Sequence, residues 1–180
     1  AMSEDGKIAY IADYPIFGTI SGINAFALGA KMINPRAKVH LEWSCLKNHD
    51  AMEAIRWLHP SCISGKDMVI PEDGLFHMEN EIPRHLAMPI CHWGKFYEQL
   101  IRTIMEGMWK YDDDPLEAKA INYWWGMSAG VVDVICSRNL PIGTKRLIEL
   151  LKHTIVSDEF HPFAGVLYSQ DKLIQPDPDK

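Results

Sequence analysis

The sequence lacks long hydrophobic runs and an excess of basic residues. No apolar stretch approaches the roughly 18 residues that a membrane-spanning helix needs. The 18 Lys and Arg residues are outnumbered by 24 Asp and Glu residues, which gives a formal net charge of −6. Because binding to a phosphate backbone requires a basic face, the composition argues against a nucleic-acid partner. Small molecules or other proteins are the expected partners.

Motifs of common reaction centres are also missing. The cysteines are widely spaced and form no C-x-x-C pair, so neither a zinc ribbon nor a disulfide scaffold is indicated, and all of them are interpreted as small buried residues: Cys45, Cys62, Cys91 and Cys136. The histidines lack the H-x-x-x-H and H-E-x-x-H spacings of a zinc site. No phosphate-binding glycine motif is present. We therefore expect no cofactor and no metal.

Two cysteine–histidine pairs are the candidates for a nucleophile and its base. Cys91 and His92 are neighbours on a predicted strand, where adjacent side chains point to opposite faces and cannot meet. Cys45 and His49 can meet at the start of a predicted helix, where a thiolate is favoured. No third residue is placed to orient that histidine, so the sequence predicts a binding protein and not an enzyme.

Residues 6–44 predict one strand–helix–strand unit. Lys7–Ala12 is a short apolar run that a turn ends, and Lys38–Trp43 alternates in polarity, so both are predicted strands. Thr19 or Ser21 is placed to cap the helix between them. The predicted buried face of this helix consists of hydrophobic residues at helical spacing, Ile20, Ile23, Ala27 and Ala30. A βαβ unit of this kind is parallel and right-handed in nearly all proteins.

Helices and strands continue to alternate along the chain. Further helices are predicted over residues 49–59, 95–108 and 140–156, and further strands over 62–64, 75–78, 85–92, 120–125 and 130–136. Pro89 favours an edge or a bulge for its strand. The alternation predicts a three-layer α/β/α sandwich with a mostly parallel sheet. We expect a single lobe over residues 6–170, a tag or disordered start over 1–5 and a flexible tail over 171–180.

The ligand site of such a sheet is expected outside the carboxyl ends of its strands. The predicted edge carries aromatic and polar residues after several strands: Asp13, Tyr14, Phe17, Trp43, Ser44, Asp67, His92 and Trp93. Aromatic rings there can stack on a planar ligand, and carboxylates can accept its hydroxyl groups. The alternative for Asp13 and Asp67 is capping of the next helix or turn, and for the tryptophans it is a place in the core or rim.

Five segments resemble the second half of the basic membrane protein family. They are GKIAYIADYPI, GINAFALGAKMINPRAKVHLEW, KFYEQLIRTIMEGMWK, YWWGMSAGVVDV and FHPFAGVLYSQD. The resemblance covers residue 6 to about residue 175. Members of the family are extracytoplasmic lipoproteins that bind solutes for ABC transporters, and characterised members bind purine nucleosides. The resemblance implies the two-lobed periplasmic-binding-protein fold of type I, of which this chain supplies one lobe.

The chain departs from the family pattern in two ways. The first half of the family, which builds the other lobe, is absent. An acidic V-D-x-D-Q turn is replaced by residues 74–80 (GLFHMEN), and a lysine on the next strand by residues 88–91 (MPIC). In the family that acid and that lysine contact the sugar of the nucleoside, and neither carries over. The resemblance therefore leaves the identity of the ligand open.

The resemblance implies a non-catalytic solute-binding lobe. Its implied partners are a small molecule such as a purine nucleoside and either an ABC permease or the missing lobe. The alternative is a degenerate interaction domain that keeps the fold without the ligand site and forms a homodimer, because an uncovered lobe can pair with a second copy. An extracytoplasmic, membrane-anchored lipoprotein is expected if the chain is part of a longer parent, and a cytoplasmic protein if Met2 is the native start.

Overall fold

The computed structural model describes residues 1–65, 74–79, 82–107, 125–169 and 172–175. Its elements are, in chain order, β1 (Lys7–Ala12), α1 (Phe17–Ile33), β2 (Lys38–Trp43), α2 (Ala51–Arg56), β3 (Cys62–Ser64), β4 (Leu75–Glu79), β5 (Ile82–Cys91), α3 (Trp93–Met105), β6 (Val132–Cys136), α4 (Ile142–Val156), β7 (Leu167–Tyr168) and β8 (Leu173–Gln175). The strand predicted over 120–125 lies outside the described residues except for Trp125. Across the described ranges, every helix is too short or too polar to cross a membrane.

A six-stranded sheet in the order β2-β1-β3-β4-β5-β6 forms the centre of the fold. β1 pairs in parallel with both β2 and β3, as expected for two successive crossovers. β3 with β4, β4 with β5, and β5 with β6 pair antiparallel. Strands β1, β2, β3 and β5 therefore run in one direction, which confirms the α/β class with most strands parallel. The antiparallel pairing beyond β3 differs from the simple repeat of parallel βα units that the alternation of helices and strands predicts.

Helices cover both faces of the sheet and make the three predicted layers. Side chains alternate along β1, so Ala9 and Ile11 face one side and Ile8 the other. On the first side they pack with residues of α2 and of neighbouring strands, Ala51, Ile55, Ile63 and Phe76. On the second side Ile8 packs with residues from α1, α4 and the strands, among them Phe26, Ala30, Cys62, Leu86 and Ile148. The sheet is thus buried between two apolar clusters.

Helix α1 packs on the sheet with a face that is shifted from the predicted one: Ala30 of the predicted face and Phe26 beside it contact the second apolar cluster. It begins at Phe17 after Ile16, and no side chain caps it. The prediction that Thr19 or Ser21 caps it is therefore wrong, and the Ser21 hydroxyl instead donates to the carbonyls of Phe17 and Gly18 within the helix.

The large ring of Tyr10 explains the change of face. Its centroid lies 5.1 Å from that of Phe26 in an edge-to-face contact. A Cβ on Gly22 would lie 3.9 Å from the Tyr10 hydroxyl. Ile20, a member of the predicted buried face, is exposed, and no residue of α1 is fully buried.

Helix α2 is short and is fixed at its start by Asp50. The Asp50 carboxylate accepts hydrogen bonds from the backbone N–H groups of Met52 (2.9 Å) and Glu53 (3.1 Å). This is the usual way to satisfy amides that have no partner within a helix. The helix covers six residues, fewer than the predicted 49–59. Because so short a helix is not stable alone, its position depends on the burial of Ala51 and Ile55.

β4 and β5 pair antiparallel, with Glu79 paired to Ile82. β5 as a whole lies between β4 and β6, but its register with β4 shifts at Leu75 and Phe76, where Leu86 is the extra residue of β5, so an irregularity of the predicted kind is present in this strand. β4 pairs with β5 only as far as Ala87, whereas Pro89 pairs with β6 alone. A proline is tolerated there because the strand has a described neighbour on one side only.

The first residues of the chain contact the lobe, and β8 pairs with β7 in a small sheet of its own. Met2 packs against the second apolar cluster. The Asp5 carboxylate accepts hydrogen bonds from the Lys7 backbone N–H (2.9 Å) and the Ser61 hydroxyl (2.8 Å). The bond from Lys7 is the main cause of the lowered pKa of Asp5. In the expected tail, β8 pairs antiparallel with β7, and residues 176–180 lie outside the described ranges.

An ion pair joins the edge strand β6 to α4 and makes a testable contribution to stability. Asp133 Oδ1 lies 2.7 Å from Lys152 Nζ, and this hydrogen bond is the main cause of the lowered pKa of Asp133. A carboxylate whose pKa is lowered by folding stabilises the protein above its unfolded pKa of about 3.9, and this contribution is lost as pH falls through the folded pKa.

The Asp133→Asn variant is therefore expected to unfold about 0.5 kcal/mol more easily at pH 7, since the pair is partly solvated. The difference from the wild type should shrink as pH approaches 3, which urea unfolding at several pH values measures. Glu149→Gln is the control, because Glu149 is farther from the same amine, at 3.8 Å. A difference that stays constant down to pH 3 would contradict the assignment.

Candidate ligand-binding site

Four strands end at the same edge of the sheet. β1, β2, β3 and β5 run in one direction, so Asp13, Ser44, Gly65 and His92, which follow them, lie along that edge. β1 and β5 are separated by β3 and β4. With strands about 4.8 Å apart, Asp13 and His92 are therefore about 14 Å apart along the edge. The predicted site residues fall into two groups, which we call the β1–β2 corner (Asp13, Glu42, Ser44 and His49) and the β5–β6 corner (His92, Trp93 and Val131).

The Asp13–Ser44 pair is the centre of the β1–β2 corner. The Ser44 N–H donates to the Ala12 carbonyl at 2.8 Å, which extends the pairing of β1 and β2 and places Ser44 beside Asp13. The Ser44 hydroxyl then donates to Asp13 Oδ1. The other carboxylate oxygen, Oδ2, accepts no hydrogen bond from the described residues. Because Ile16 occupies the N-cap position of α1, Asp13 does not cap that helix, and the capping alternative is wrong.

A second pair, Glu42 and His49, was missed as a site feature by the sequence reasoning. Glu42 is in register with Ile11 and shares its face of the sheet, the face that α2 covers. His49 lies in the loop before α2, and its Nε2 is 3.0 Å from Glu42 Oε2. When Nε2 carries the proton and donates it to this carboxylate, Nδ1 is left as an acceptor for a ligand. The pair therefore orients a second polar group toward the same corner.

A cavity of about 300 Å³ lies beside these groups, bounded by Ile11, Ser44, His49, Asp50, Ala51 and Met52. Its apolar wall comes from β1 and α2, and its polar rim from the loop that joins β2 to α2. The volume is at the lower limit of small-molecule sites, which run from roughly 300 to 1,000 Å³. The cavity can hold part of a ligand, such as one sugar ring.

The aromatic residues at the β1–β2 corner are divided between two sides of the sheet. Tyr14 and Phe17 follow Asp13 and are 63% and 74% exposed, so their rings offer stacking surfaces. Trp43 is in register with Ala12 and faces the α1 side, away from Glu42. The sequence analysis names both Trp43 and Ser44 as ligand candidates, but in the structure Trp43 points to the α1 face of the sheet and Ser44 does not share that face.

The β5–β6 corner is held together by main-chain and aromatic contacts. The His92 N–H donates to the Val131 carbonyl at 2.7 Å, which fixes the start of α3 against the start of β6. Trp93 is 58% exposed, and its ring contacts Phe96 edge-to-face at 5.9 Å. Phe96 in turn contacts Trp125 at 5.2 Å. Trp93 is therefore the exposed ring of an ordered aromatic group. Asp67, also predicted for this edge, lies outside the described residues.

The cysteines do not behave as one class. Cys62 is buried and Cys136 half-buried, and desolvation raises the pKa of both thiols, so both stay protonated at neutral pH. Cys45 and Cys91 are exposed, and the prediction that all four are buried is wrong for these two. Within the described ranges, no group of three His, Cys, Asp or Glu side chains is arranged to hold a metal ion.

Comparison with known proteins finds two relatives for nearly the whole chain. No family model matches. A purine-binding protein of Brucella abortus is 27% identical over 198 aligned positions, which cover 94% of this chain and 51% of that protein. A putative ABC transporter glucose-binding protein of Haloferax volcanii is 26% identical over 188 positions, 91% of this chain and 44% of that protein. The chain thus spans about half the length of these curated relatives. These homologues agree with the predicted resemblance: over nearly its whole length, the chain is similar to a purine-binding protein and to a putative glucose-binding protein of an ABC transporter.

Proposed function

We propose that the chain is one lobe of an extracytoplasmic solute-binding protein that binds a purine nucleoside for an ABC permease. The relatives support the binding role, since their names describe binding proteins for a purine and for glucose. The observation that carries the proposal is the Asp13–Ser44 pair, set at the edge of the sheet where ligands of such folds bind.

Asp13 is the proposed acceptor for the hydroxyl groups of the sugar. Its Oδ1 is engaged by Ser44, which fixes the carboxylate, and Oδ2 is directed at no other described residue. A hydrogen bond to a charged group contributes about 1.5–3 kcal/mol. His49, oriented by Glu42, supplies a second polar contact at the rim of the cavity. In this proposal Asp13 and His49 take the place of the acid and the lysine that contact the sugar in the basic membrane protein family, since this chain matches neither of those two residues.

Stacking on exposed rings is the proposed source of the remaining affinity. Tyr14 and Phe17 offer rings at the β1–β2 corner, and Trp93 offers one at the β5–β6 corner. A base stacked on an aromatic side chain gains about 1–3 kcal/mol. A binding pocket usually covers roughly 70–90% of the surface of its ligand, and one edge of a single lobe covers less than this. A second lobe is therefore the proposed partner that closes over the ligand.

Isothermal titration calorimetry tests the proposal on the chain and on the product of its full-length gene. The panel contains adenosine, guanosine, inosine, ribose and glucose. We expect at least one nucleoside to bind the full-length product, and to bind this chain more weakly by a factor on the order of 100, because half of the contacts are removed. Glucose is included as the competing candidate ligand, because the name of one relative describes a glucose-binding protein. A folded full-length product that gives no heat with any of the three nucleosides would overturn the proposal.

A further inference from the structure

Lys95 lies in the first turn of α3 and extends along a turn of the chain before β6. A Cβ placed on Gly130 would be 3.0 Å from Lys95 Nζ, 3.5 Å from Cδ and 3.8 Å from Cε. Gly130 also has a φ of +68°, a conformation that most L-residues avoid. Glycine at this position therefore allows both the turn and the close approach of the lysine.

The turn beneath the lysine is fixed in place. The Gly130 N–H donates to the Met127 carbonyl at 2.9 Å, and the Val131 N–H to the Gly126 carbonyl at 3.1 Å. The Gln99 amide of α3 donates to the Ala129 carbonyl at 3.0 Å. Together with the bond between His92 and Val131, these contacts make the β5–β6 corner a rigid support for the amine.

The amine itself is not neutralised by the described part of the chain. Lys95 is exposed, and no carboxylate of the described residues lies within ion-pair distance of it. The neighbouring α3 residues Glu98 and Arg102 pair with each other at 2.9 Å instead. A structural lysine would normally be held by a carboxylate or a carbonyl. Here the lysine side chain packs over Gly130, at the end of the sheet where β5 ends and β6 begins.

We propose that Lys95 selects a ligand whose heterocycle presents hydrogen-bond acceptors, which for a purine means a 6-oxo group together with N7. This inference rests on the proposed function. A lysine ammonium has three donors and no acceptor, so it pairs with the O6 and N7 atoms of guanine or hypoxanthine. It cannot accept from the 6-amino group of adenine. The protein therefore discriminates guanosine and inosine from adenosine.

The two corners of the edge fit the two ends of such a ligand. Asp13 provides an acceptor for sugar hydroxyls at the β1–β2 corner, and Lys95 provides donors for the base at the β5–β6 corner. Trp93, exposed and two residues before Lys95, offers an aromatic ring at the same corner. The acceptor for the sugar hydroxyls and the donor for the 6-oxo group thus lie at different corners of the same edge, as the sugar and the base lie at different ends of a nucleoside.

The test is the ratio of guanosine to adenosine affinity, measured by calorimetry on the wild type and on Lys95→Met in the full-length gene product. We expect the wild type to bind guanosine at least about tenfold more tightly, since a good pair with a base edge discriminates by roughly 1–3 kcal/mol. Lys95→Met keeps the apolar stem and should lower guanosine affinity about tenfold and adenosine affinity less, because adenine offers the lysine N7 but no 6-oxo acceptor. Lys95→Arg should retain the preference, because it keeps the cation.

Two glycine variants make a matched control. Gly130 and Gly107 have φ values of +68° and +69°, but nothing lies within 4 Å of a Cβ added to Gly107. Asparagine tolerates this conformation, so Gly130→Asn and Gly107→Asn should fold, as circular dichroism and thermal unfolding can verify. Gly130→Asn occupies the space of the lysine amine and should reduce the preference for guanosine. Gly107→Asn should leave the preference unchanged.

The outcomes separate the two proposals. A wild type that binds no nucleoside overturns both the proposed function and this inference. Equal binding of guanosine and adenosine by the wild type overturns the inference alone. So does a Lys95→Met variant with an unchanged ratio, or an equal effect of the two asparagine variants, since either result would mean that the position of the amine is irrelevant to selectivity.

Discussion

Replacing Ile55 by alanine is expected to lower the free energy of unfolding by about 3 kcal/mol, within the range for removing a buried isoleucine side chain. Ile55 is 1% exposed and packs in the cluster that joins α2 to β1, β3 and β4. Most of the six residues of α2 are exposed or half-buried, so few other contacts hold the helix to the sheet. Since domains are stable by only about 5–15 kcal/mol, the loss is a large part of the total.

Urea unfolding followed by circular dichroism measures this effect. Met52→Ala is the control, because Met52 lies on the same helix but is 38% exposed, and it should cost less than about 1 kcal/mol. Ile55→Ala should also weaken ligand binding, since α2 supplies Ala51 and Met52 to the wall of the cavity. Equal losses of stability in the two variants would contradict the assignment of Ile55 to the core.

The sequence predicts the first half of the fold well because local and tertiary signals agree there. β1 and β2 have the predicted limits, Lys7–Ala12 and Lys38–Trp43. Each is a short run of strand-forming residues that turn-forming residues end. The helix between them is long enough for its periodicity to be clear, and the connection then determines that the strands are parallel.

Beyond β3 the sequence leaves the direction of the strands undetermined. Alternation of polarity indicates a strand but not its neighbour, so the antiparallel pairings of β4, β5 and β6 could not be derived. The buried face of α1 was predicted only in part, since Ala30 packs against the core whereas Ile20 is exposed. Hydrophobicity favours Ile20, whereas the size of the Tyr10 ring on the facing strand favours Gly22 and Phe26. Such a choice depends on a contact between residues far apart in the chain.

The candidate site was likewise predicted only in part from the sequence. Asp13 and Ser44 were predicted because each follows a strand, and the structure pairs them. The Glu42–His49 pair was missed, although a signal was present: alternation along β2 places Glu42 opposite Trp43, on the side covered by α2. Lys95 and Gly130 lie 35 positions apart in the chain, and no pattern of spacing connects them. Their contact results from the packing of α3 on the turn before β6.

Replacing Asp13 by alanine is expected to weaken nucleoside binding about 100-fold, since hydrogen bonds to a carboxylate contribute about 1.5–3 kcal/mol each. The fold should be little affected. Asp13 neither caps α1 nor belongs to the apolar clusters, and the Ser44 hydroxyl that loses its acceptor is within reach of water. Calorimetry with guanosine on the full-length gene product measures the affinity, and thermal unfolding measures the stability.

Asp5 provides the matched control, because it is the corresponding carboxylate at the opposite end of β1. Asp5 accepts from Lys7 and Ser61 before the strand begins, whereas Asp13 accepts from Ser44 after the strand ends. Asp5→Ala should therefore reduce stability and leave guanosine affinity within about threefold. Asp13→Ala should instead reduce guanosine affinity and leave stability nearly unchanged. If both variants lost affinity in proportion to their stability, the carboxylate of Asp13 would have only a structural role. The Glu42–His49 pair would then be the remaining polar candidate for recognition at the β1–β2 corner.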